Sequence, residues 1–179
     1  MCQAMGLGRY RKYQDPDGPG FGDCIAMIRS ACRPSAMAIL QLIRWQIFNT
    51  LTGNTDGHAK NISLLQDGHG RWHLAPAYDL LSTIVLGYNT SLAMSVGQQF
   101  NSQQLLKRDW EQLAHDAGIS FGLLRREVPA MIQKLQSAIE SQELKNRLLE
   151  VGMDERDLRS LQQHQMHISR QCKKAQKWI

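Results

Sequence analysis

The chain has 179 residues, of which 42% are hydrophobic and 21% are charged, which is usual for a single globular domain or one large lobe. No apolar run approaches the roughly 20 residues that a membrane-spanning helix needs, and the first residues lack the basic and apolar regions of a secretory signal. The four cysteines are scattered without a CxxC pair, which favours reduced thiols. We therefore expect a cytoplasmic protein without a membrane segment. Its net charge of +5 permits contact with nucleic acid or an acidic partner but identifies neither.

The first third of the chain predicts a turn-rich lead-in followed by two helices. Asp15–Gly20 alternates aspartate, proline and glycine, the residues that form turns. Asp23 is a candidate N-cap for the first helix. The second helix is expected to begin after Pro34 and to end near Thr50, because apolar residues recur between them at three- and four-residue steps.

The pattern then changes to a loop, a hairpin and further helices. Gly53–His58 is too rich in glycine and short polar residues for a helix and predicts a loop. The apolar segments 62–65 and 72–75 flank Asp67–Gly70, which predicts a β-hairpin. Three helices should follow, beginning at Asp109, Phe121 and Asp154 and ending near Gly118, Gln142 and Trp178.

These elements predict a mainly α-helical fold with one small β-hairpin that carries the polar loops. We expect a single domain over residues 1–179. Its parts would be a Gly/Pro-rich lead-in with a short helix (1–33), a central core (34–100) and a helical subdomain (101–179).

The chemistry of the chain is concentrated around Asp56. Phosphoryl transfer needs a carboxylate to orient the attacking hydroxyl and oxygen ligands for Mg²⁺. Kinase catalytic loops supply an Asp followed five residues later by an Asn, and Asp56 and Asn61 have this interval. If the hairpin turns near Gly68, Asn61 lies roughly opposite Ala75, so that Asp79 returns beside the loop. The sequence therefore predicts that Asp56, Asn61 and Asp79 meet in one pocket.

Two segments resemble the paired signature of the HipA family of serine/threonine-protein kinase toxins. They are Asn54–Asn61, which reads NTDGHAKN, and Leu74–Asp79, which reads LAPAYD. Tyr10–Tyr13 and Gly18–Gly20 are also similar to that family. The resemblance covers most of the chain, is strongest from about residue 9 to 83 and is thin after residue 100.

The resemblance implies a kinase-like helical C-lobe and a role for each matching residue. Asp56 would be the proton acceptor, and Asn61 and Asp79 would be the Mg²⁺ ligands. The remaining matching residues would border ATP: His58, Ala59, Lys60 and Tyr78. Members of the family phosphorylate a cytosolic protein, notably an aminoacyl-tRNA synthetase, and are restrained by a helix-turn-helix antitoxin that binds operator DNA.

The chain departs from the family in one large respect. A kinase of this type has an N-lobe with a flexible phosphate-binding loop and a lysine that grips the nucleotide phosphates, and no strand of this sequence carries either. We therefore expect the catalytic half of a kinase, inactive without an N-lobe. The alternative is a non-catalytic remnant that acts as a binding module for an antitoxin or DNA.

Each candidate residue also has a purely structural interpretation. Asp56 and Asn61 could form an Asx-type turn with nearby backbone, and Asp79 could cap a turn that starts at Leu80. His58 could hold the loop by a hydrogen bond rather than contact a nucleotide, and Lys60 could simply be solvated.

Two further patterns are open to interpretation. His69 and His73, taken with Asp56 and His58, allow a zinc or iron site, but no Glu or Cys completes the ligand set. On the last helix, basic residues recur at intervals of three and four. They form either a solvated face or a weakly indicated surface for DNA or an antitoxin, and they are His167, Arg170, Lys174 and Lys177.

Overall fold

The computed structural model describes residues 1–8 and 10–179, without the side chain of Glu155. About half of the chain is helical, and two short antiparallel hairpins lie between the second and third helices. In chain order the elements are α1 (Phe21–Ala31), α2 (Ala36–Thr52), a 3₁₀ turn (Ala59–Asn61), β1 (Leu64–Gln66), β2 (Trp72–Leu74), β3 (Ser91–Val96), β4 (Gln99–Asn101), α3 (Lys107–Asp116), α4 (Phe121–Glu140), α5 (Gln142–Glu150) and α6 (Glu155–Ala175).

Two helices begin slightly earlier than the sequence predicts. Asp23 and Asp109 are not N-caps but lie in the first helical turn, where their carboxylates accept hydrogen bonds from the backbone N–H groups of Gly20 (2.9 Å) and Leu106 (2.7 Å). An acidic side chain at this position bonds the N–H of the residue before the helix and is favoured by the helix dipole. At α6 the predicted cap is confirmed, because Asp154 accepts from two N–H groups of the first turn.

The predicted hairpin is present, and a second one was not predicted. β1 and β2 pair with Leu64 opposite Leu74. β3 and β4 form the second hairpin, and five consecutive residues of β3 are buried. A short strand covered on both faces lacks the alternation that makes a strand recognisable in a sequence.

The predicted helix from Phe121 to Gln142 ends two residues early and is followed by another helix. The side-chain oxygen of Ser141 accepts a hydrogen bond from the N–H of Leu144 (3.1 Å) and so begins α5. No helix in the described part of the chain is both long and apolar enough to cross a membrane.

The core is built around α2, which contacts α1, α4 and α6. Its central apolar side chains, among them Leu42, Ile47 and Leu51, are completely shielded from solvent. Trp110 of α3 stacks on Trp178, which follows α6, with 5.1 Å between ring centroids. The last helix is thereby fixed against the centre of the molecule.

α6 also contacts the end of α2, immediately before the candidate loop. α2 is followed by its C-cap residue Gly53, whose φ of 78° lies in the left-handed region that favours glycine. A Cβ atom at this position would lie 2.5 Å from Nε2 of His167. That nitrogen is buried and has no hydrogen-bond partner among the described residues.

We expect Gly53→Ala to destabilise the protein by about 3 kcal/mol, because left-handed backbone strain adds to overpacking against His167. Gly152 is a matched control, since it follows a helix with φ of 83° and open space around its Cβ position. Gly152→Ala should cost only about 1 kcal/mol. Urea unfolding of both variants measures the difference, and equal losses would contradict the close contact between Gly53 and His167.

Acid is expected to weaken the fold through His167. Burial, followed by the charges of Arg170, His164 and Lys174, lowers the pKa of His167 below its usual 6.5. Protonation of His167 is therefore more favourable in the unfolded chain than in the folded one. Neutral His167 contributes to the free energy of unfolding above about pH 6.5, and this contribution is lost as the pH falls below that value. Between about pH 7.5 and pH 5 the free energy of unfolding should fall less in His167→Gln than in the wild type. An unchanged pH dependence in the variant would contradict the assignment.

Candidate active site

The loop after α2 is tied to the segment that carries Asp79 through the side chain of Asn54. Asn54 is buried, and its Nδ2 donates both to Oδ1 of Asn49 in α2 (3.1 Å) and to the backbone oxygen of Asp79 (3.1 Å). Its own N–H donates to the backbone oxygen of Asn49 (2.9 Å). One amide therefore joins the end of α2, the loop and the segment beyond the first hairpin.

Two threonines continue this connection on the next residue of the loop. The N–H of Thr55 donates to Oγ1 of Thr83 (2.8 Å), and the two hydroxyl oxygens lie 2.7 Å apart. The Thr83 hydroxyl also donates to the backbone oxygen of Gly53 (3.1 Å). The N–H of Ala93 in β3 donates to the backbone oxygen of Thr55 (2.8 Å). The residue before Asp56 is thus held from two sides.

Asp56 is half-buried, and its hydrogen-bond partner lies far away in the sequence. The Tyr13 hydroxyl donates to Oδ1 of Asp56 (2.8 Å), whereas Oδ2 accepts no hydrogen bond from the described residues. This carboxylate therefore does not form the local Asx-type turn that the sequence allowed. The Tyr13 ring packs edge-on against His58, with 5.4 Å between centroids.

Lys12 lies over Tyr13, and its charge interacts with the carboxylates of Asp56 and Asp79. Its Nζ lies 4.5 Å from the centroid of the Tyr13 ring. The pKa of Lys12 is raised, first by its interaction with the Tyr13 side chain and then by the charges of Asp56 and Asp79, against partial desolvation. Lys12 and Tyr13 were not predicted as site residues. The available signal was their place in the Tyr10–Tyr13 stretch that resembles the HipA family.

Asn61 and Asp79 are in direct contact. Nδ2 of Asn61 donates to Oδ2 of Asp79 at 2.5 Å, and Oδ1 of Asn61 accepts from the backbone N–H of His58 at 2.9 Å. The His58 N–H fixes the orientation of the amide, since only an oxygen can face a donor. The hairpin register puts Ser63 opposite Ala75, two residues beyond the position predicted for Asn61, and Asp79 still returns to the loop.

Asp79 has an unusual backbone conformation. Its φ of 58° makes it the one non-glycine residue in the described part of the chain with a positive φ. Such conformations cost free energy and persist where the surroundings impose them. Here the surroundings include the hydrogen bonds from Asn54 and Asn61.

The four residues expected to border a nucleotide occupy different environments. His58 and Ala59 are buried, and Lys60 and Tyr78 are exposed. The Tyr78 hydroxyl donates to the backbone oxygen of Lys60 (2.5 Å) and lies 2.8 Å from the hydroxyl of Ser63. Burial, followed by the charge of Lys12, lowers the pKa of His58, and its Nδ1 has no hydrogen-bond partner among the described residues.

The oxygen atoms of the site suit magnesium better than zinc. The carboxylate of Asp79 and the amide oxygen of Asn61 are hard ligands of the kind that Mg²⁺ prefers, and Oδ1 of Asn61 keeps a second lone pair beside its bond from His58. Among the described residues, no group of three or more His, Cys, Asp or Glu side chains could hold a metal ion. His69 and His73 are both exposed, in the hairpin turn and on β2.

The basic residues of α6 do not form one exposed stripe. His167 is half-buried against Gly53. Lys174 is exposed and donates to Oε1 of Gln103 (2.8 Å). Arg170 is exposed, and so is the neighbouring Lys173, which was not predicted. Lys177 is also exposed but lies beyond the end of α6 at Ala175.

Comparisons with known proteins show which family this chain resembles. The family model described as HipA-like C-terminal domain matches residues 1–143. The protein named "Putative kinase Y4mE" of Sinorhizobium fredii is 34% identical over 139 residues, which cover 77% of this chain and 33% of that protein. The serine/threonine-protein kinase toxin HipA of Shewanella oneidensis is 26% identical over 149 residues, which cover 77% of this chain and 34% of that protein. The chain therefore spans about a third of the length of these relatives.

A solved structure has the same fold. In the complex of Shewanella oneidensis HipA with HipB and operator DNA, one chain matches 97% of this chain with a TM-score of 0.84 and 22% sequence identity. The match covers 42% of that longer chain. Because the family model covers most of the sequence and the fold extends over nearly all of it, the chain belongs to the family of HipA-like C-terminal domains.

Proposed function

We propose that this chain is the catalytic half of a serine/threonine-protein kinase that transfers the γ-phosphoryl group of ATP to a protein hydroxyl. The observation that carries the proposal is that Asp79, which lies beyond the first hairpin, bonds Asn61 on the loop that also carries Asp56. Asn61 contacts Asp79 directly, and Lys12 interacts with both Asp79 and Asp56. The relatives are kinases by name, which supports the same reaction class.

Asp56 is proposed to accept the proton of the attacking hydroxyl. Tyr13 occupies Oδ1 and leaves Oδ2 for a substrate. A general base must lie within roughly 2.6–3.2 Å of the oxygen that it deprotonates. In the reaction the hydroxyl oxygen bonds to the γ-phosphorus, the bond to the β-phosphate oxygen breaks, ADP leaves and Asp56 holds the proton.

Asn61 and Asp79 are proposed to hold Mg²⁺ through Oδ1 and the carboxylate. Bound there, the metal would neutralise charge on the phosphates. The left-handed backbone of Asp79, held by Asn54, presents its side chain to Asn61 before any ligand arrives. His58, Ala59, Lys60 and Tyr78 would border the nucleotide on the same loop.

The reaction also requires groups that would come from the remaining length of the relatives. Aligning the reactants is worth on the order of 7–11 kcal/mol of a barrier, and kinases achieve it with a lysine and a covering loop. An N-lobe would supply them, and the protein substrate would be cytosolic, of the kind represented by an aminoacyl-tRNA synthetase.

Replacing the proposed base should stop the reaction. In a chimera that joins this chain to the N-terminal region of Shewanella oneidensis HipA, Asp56→Asn should reduce phosphoryl transfer by about 10²- to 10⁴-fold, because an amide cannot accept the proton. Asp79→Asn should instead weaken Mg²⁺-dependent ATP binding. Radiolabel transfer and calorimetry measure the two effects.

The controls for this experiment are Asp116→Asn and residues 1–179 alone. Asp116 lies at the end of α3 and bonds Gln112 and His115, so its variant should keep full transfer. Residues 1–179 alone should transfer nothing. Wild-type turnover in Asp56→Asn would refute the assignment of Asp56 as the base. Phosphoryl transfer by residues 1–179 alone would refute the need for a second lobe.

A second candidate function is binding of a helix-turn-helix antitoxin or DNA through α6. The observation that favours it is that the similar structure is a complex of HipA with HipB and operator DNA. Arg170 and Lys173 are exposed on α6, and Lys177 is exposed just beyond its end. This function does not require the carboxylates of the loop.

Binding of DNA by α6 would depend on salt. Each phosphate that is neutralised contributes about −0.9 to the log–log slope of affinity against salt. The double variant Arg170→Gln/Lys177→Gln should therefore flatten the slope by about two units, whereas Lys134→Gln, an exposed lysine of α4, should not. Fluorescence anisotropy with duplex DNA measures this slope. An unchanged slope in the double variant would show that these residues form a solvated surface that does not bind DNA.

A further inference from the structure

Lys12 and Asp56 belong to two segments that are held by the same residue of the second hairpin. The backbone N–H of Ala93 in β3 donates to the oxygen of Thr55, the residue before Asp56 (2.8 Å). The backbone oxygen of Ala93 accepts from the N–H of Gln14, two residues after Lys12 (3.0 Å). The segment that carries this lysine is therefore fixed beside the loop that carries the proposed base.

The side chain of Gln14 strengthens this attachment. Its Nε2 donates to Oγ of Ser95 in β3 (3.0 Å), and its Oε1 accepts from the backbone N–H of Ser95 (2.8 Å). A lysine side chain is long and flexible, so its charge can be placed reproducibly only from a fixed backbone. The bonds of Gln14 to β3 provide this restraint two residues from Lys12.

The end of the Lys12 side chain lies among the groups that are proposed to react. Its Nζ is 4.5 Å from the centroid of the Tyr13 ring, whose hydroxyl donates to Oδ1 of Asp56 (2.8 Å). The Tyr13 side chain raises the pKa of Lys12, against partial desolvation. The charges of Asp56 and Asp79 raise this pKa further, so that the amine stays protonated at neutral pH. A positive charge therefore lies near both the proposed base and a proposed magnesium ligand.

A positive charge at this place suits phosphoryl transfer. The phosphorus moves from the oxygen of the β-phosphate to the substrate hydroxyl, which faces Asp56. During transfer, negative charge is spread over three phosphoryl oxygens, and the nearby carboxylates of Asp56 and Asp79 would repel it. A protonated amine donates charge-assisted hydrogen bonds to such oxygens, and its effect is largest where it is already in place.

We propose that Lys12 is a further catalytic residue, whose amine contacts the phosphoryl group as it moves from ATP to the substrate hydroxyl. Lys12 donates hydrogen bonds to the phosphoryl oxygens and keeps its own protons, while Asp56 accepts the proton of the hydroxyl. It acts in addition to the lysine of an N-lobe and does not replace it. This inference rests on the proposed function, since it assigns one more group to the same reaction.

The first test is phosphoryl transfer by the chimera described above. Lys12→Met keeps the length of the side chain and removes its charge. The kcat should therefore fall about 10²- to 10³-fold, while KM for ATP should change by less than about threefold. Lys12→Arg should restore kcat about tenfold or more, because a guanidinium also donates to phosphoryl oxygens. The matched control is Lys107→Met, since Lys107 lies over the ring of Phe121 (5.6 Å) and should be replaceable without loss of kcat.

The contact with the phosphoryl group can also be measured without turnover. In the same chimera, ADP with Mg²⁺ is titrated in the presence and absence of fluoroaluminate, which takes the place of the transferred phosphoryl group. Fluoroaluminate should tighten ADP binding by the wild type, and Lys12→Met should lose about tenfold or more of this gain. The affinity for ADP alone should stay the same, because Lys12 is not proposed to contact ADP. Calorimetry measures both affinities.

A second binding measurement uses residues 1–179 without a nucleotide. Lys12→Met should bind Mn²⁺, which stands in for Mg²⁺, about three- to tenfold more tightly than the wild type, because a positive charge near Asp79 is removed. Lys107→Met should bind Mn²⁺ as the wild type does. Electron paramagnetic resonance of the free Mn²⁺ measures the affinity. Damage to the fold would weaken both transfer and metal binding, whereas loss of the proposed charge changes them in opposite directions.

The outcomes separate this inference from the proposed function. Wild-type kcat in Lys12→Met, or an undiminished effect of fluoroaluminate, would overturn the inference even if Asp56→Asn stops transfer. Weaker Mn²⁺ binding by Lys12→Met would also overturn it, because the lysine would then support the fold of the site. A fluoroaluminate effect that depends on Lys12, in a chimera that transfers no phosphate, would support the contact with a phosphoryl group and refute the kinase.

Discussion

The buried side chain of Asn54 is the connection on which the candidate site depends. Asp56 and Asn61 belong to the loop after α2, but Asp79 lies beyond a hairpin, and chain connectivity alone does not bring them together. Nδ2 of Asn54 donates to both Asn49 and the backbone of Asp79, each at 3.1 Å. A buried amide that lost such partners would cost about 1–3 kcal/mol, so the fold itself favours the geometry in which Asp79 contacts Asn61 of the loop.

Tight packing of α2 against the loop also holds the loop in place. A Cβ atom at Gly57 would lie 3.0 Å from Nδ2 of Asn49 and 3.2 Å from the ring of Trp45, so α2 lies directly against the backbone beside Asp56. Close-packed interiors yield little to such changes. The loop is therefore held by its contacts with α2, whereas Lys60 and Tyr78, on the open side, are exposed.

The local features of the site could be predicted from the sequence, and the contacts between distant segments could not. The interval from Asp56 to Asn61, the first hairpin and the return of Asp79 follow from short-range patterns. The contact of Tyr13 with Asp56 joins residues 43 positions apart, and no periodicity encodes it. His167 has helical spacing with Arg170, but its side chain packs on Gly53, because the orientation of a helix face is decided by its neighbours. β3 was missed for a related reason, since burial on both faces leaves no alternation.

The contacts that hold the loop include residues beyond the part of the chain that the family model matches. That model ends at residue 143, yet α6 begins at Glu155 and places His167 against Gly53, the residue at which the loop leaves α2. The structural match covers 97% of the chain, so the shared fold extends beyond the residues that the family model matches. Packing constrains volume and burial more than residue identity. Although α6 supplies no proposed catalytic group, it can thereby stay packed against the start of the loop that carries Asp56 and Asn61.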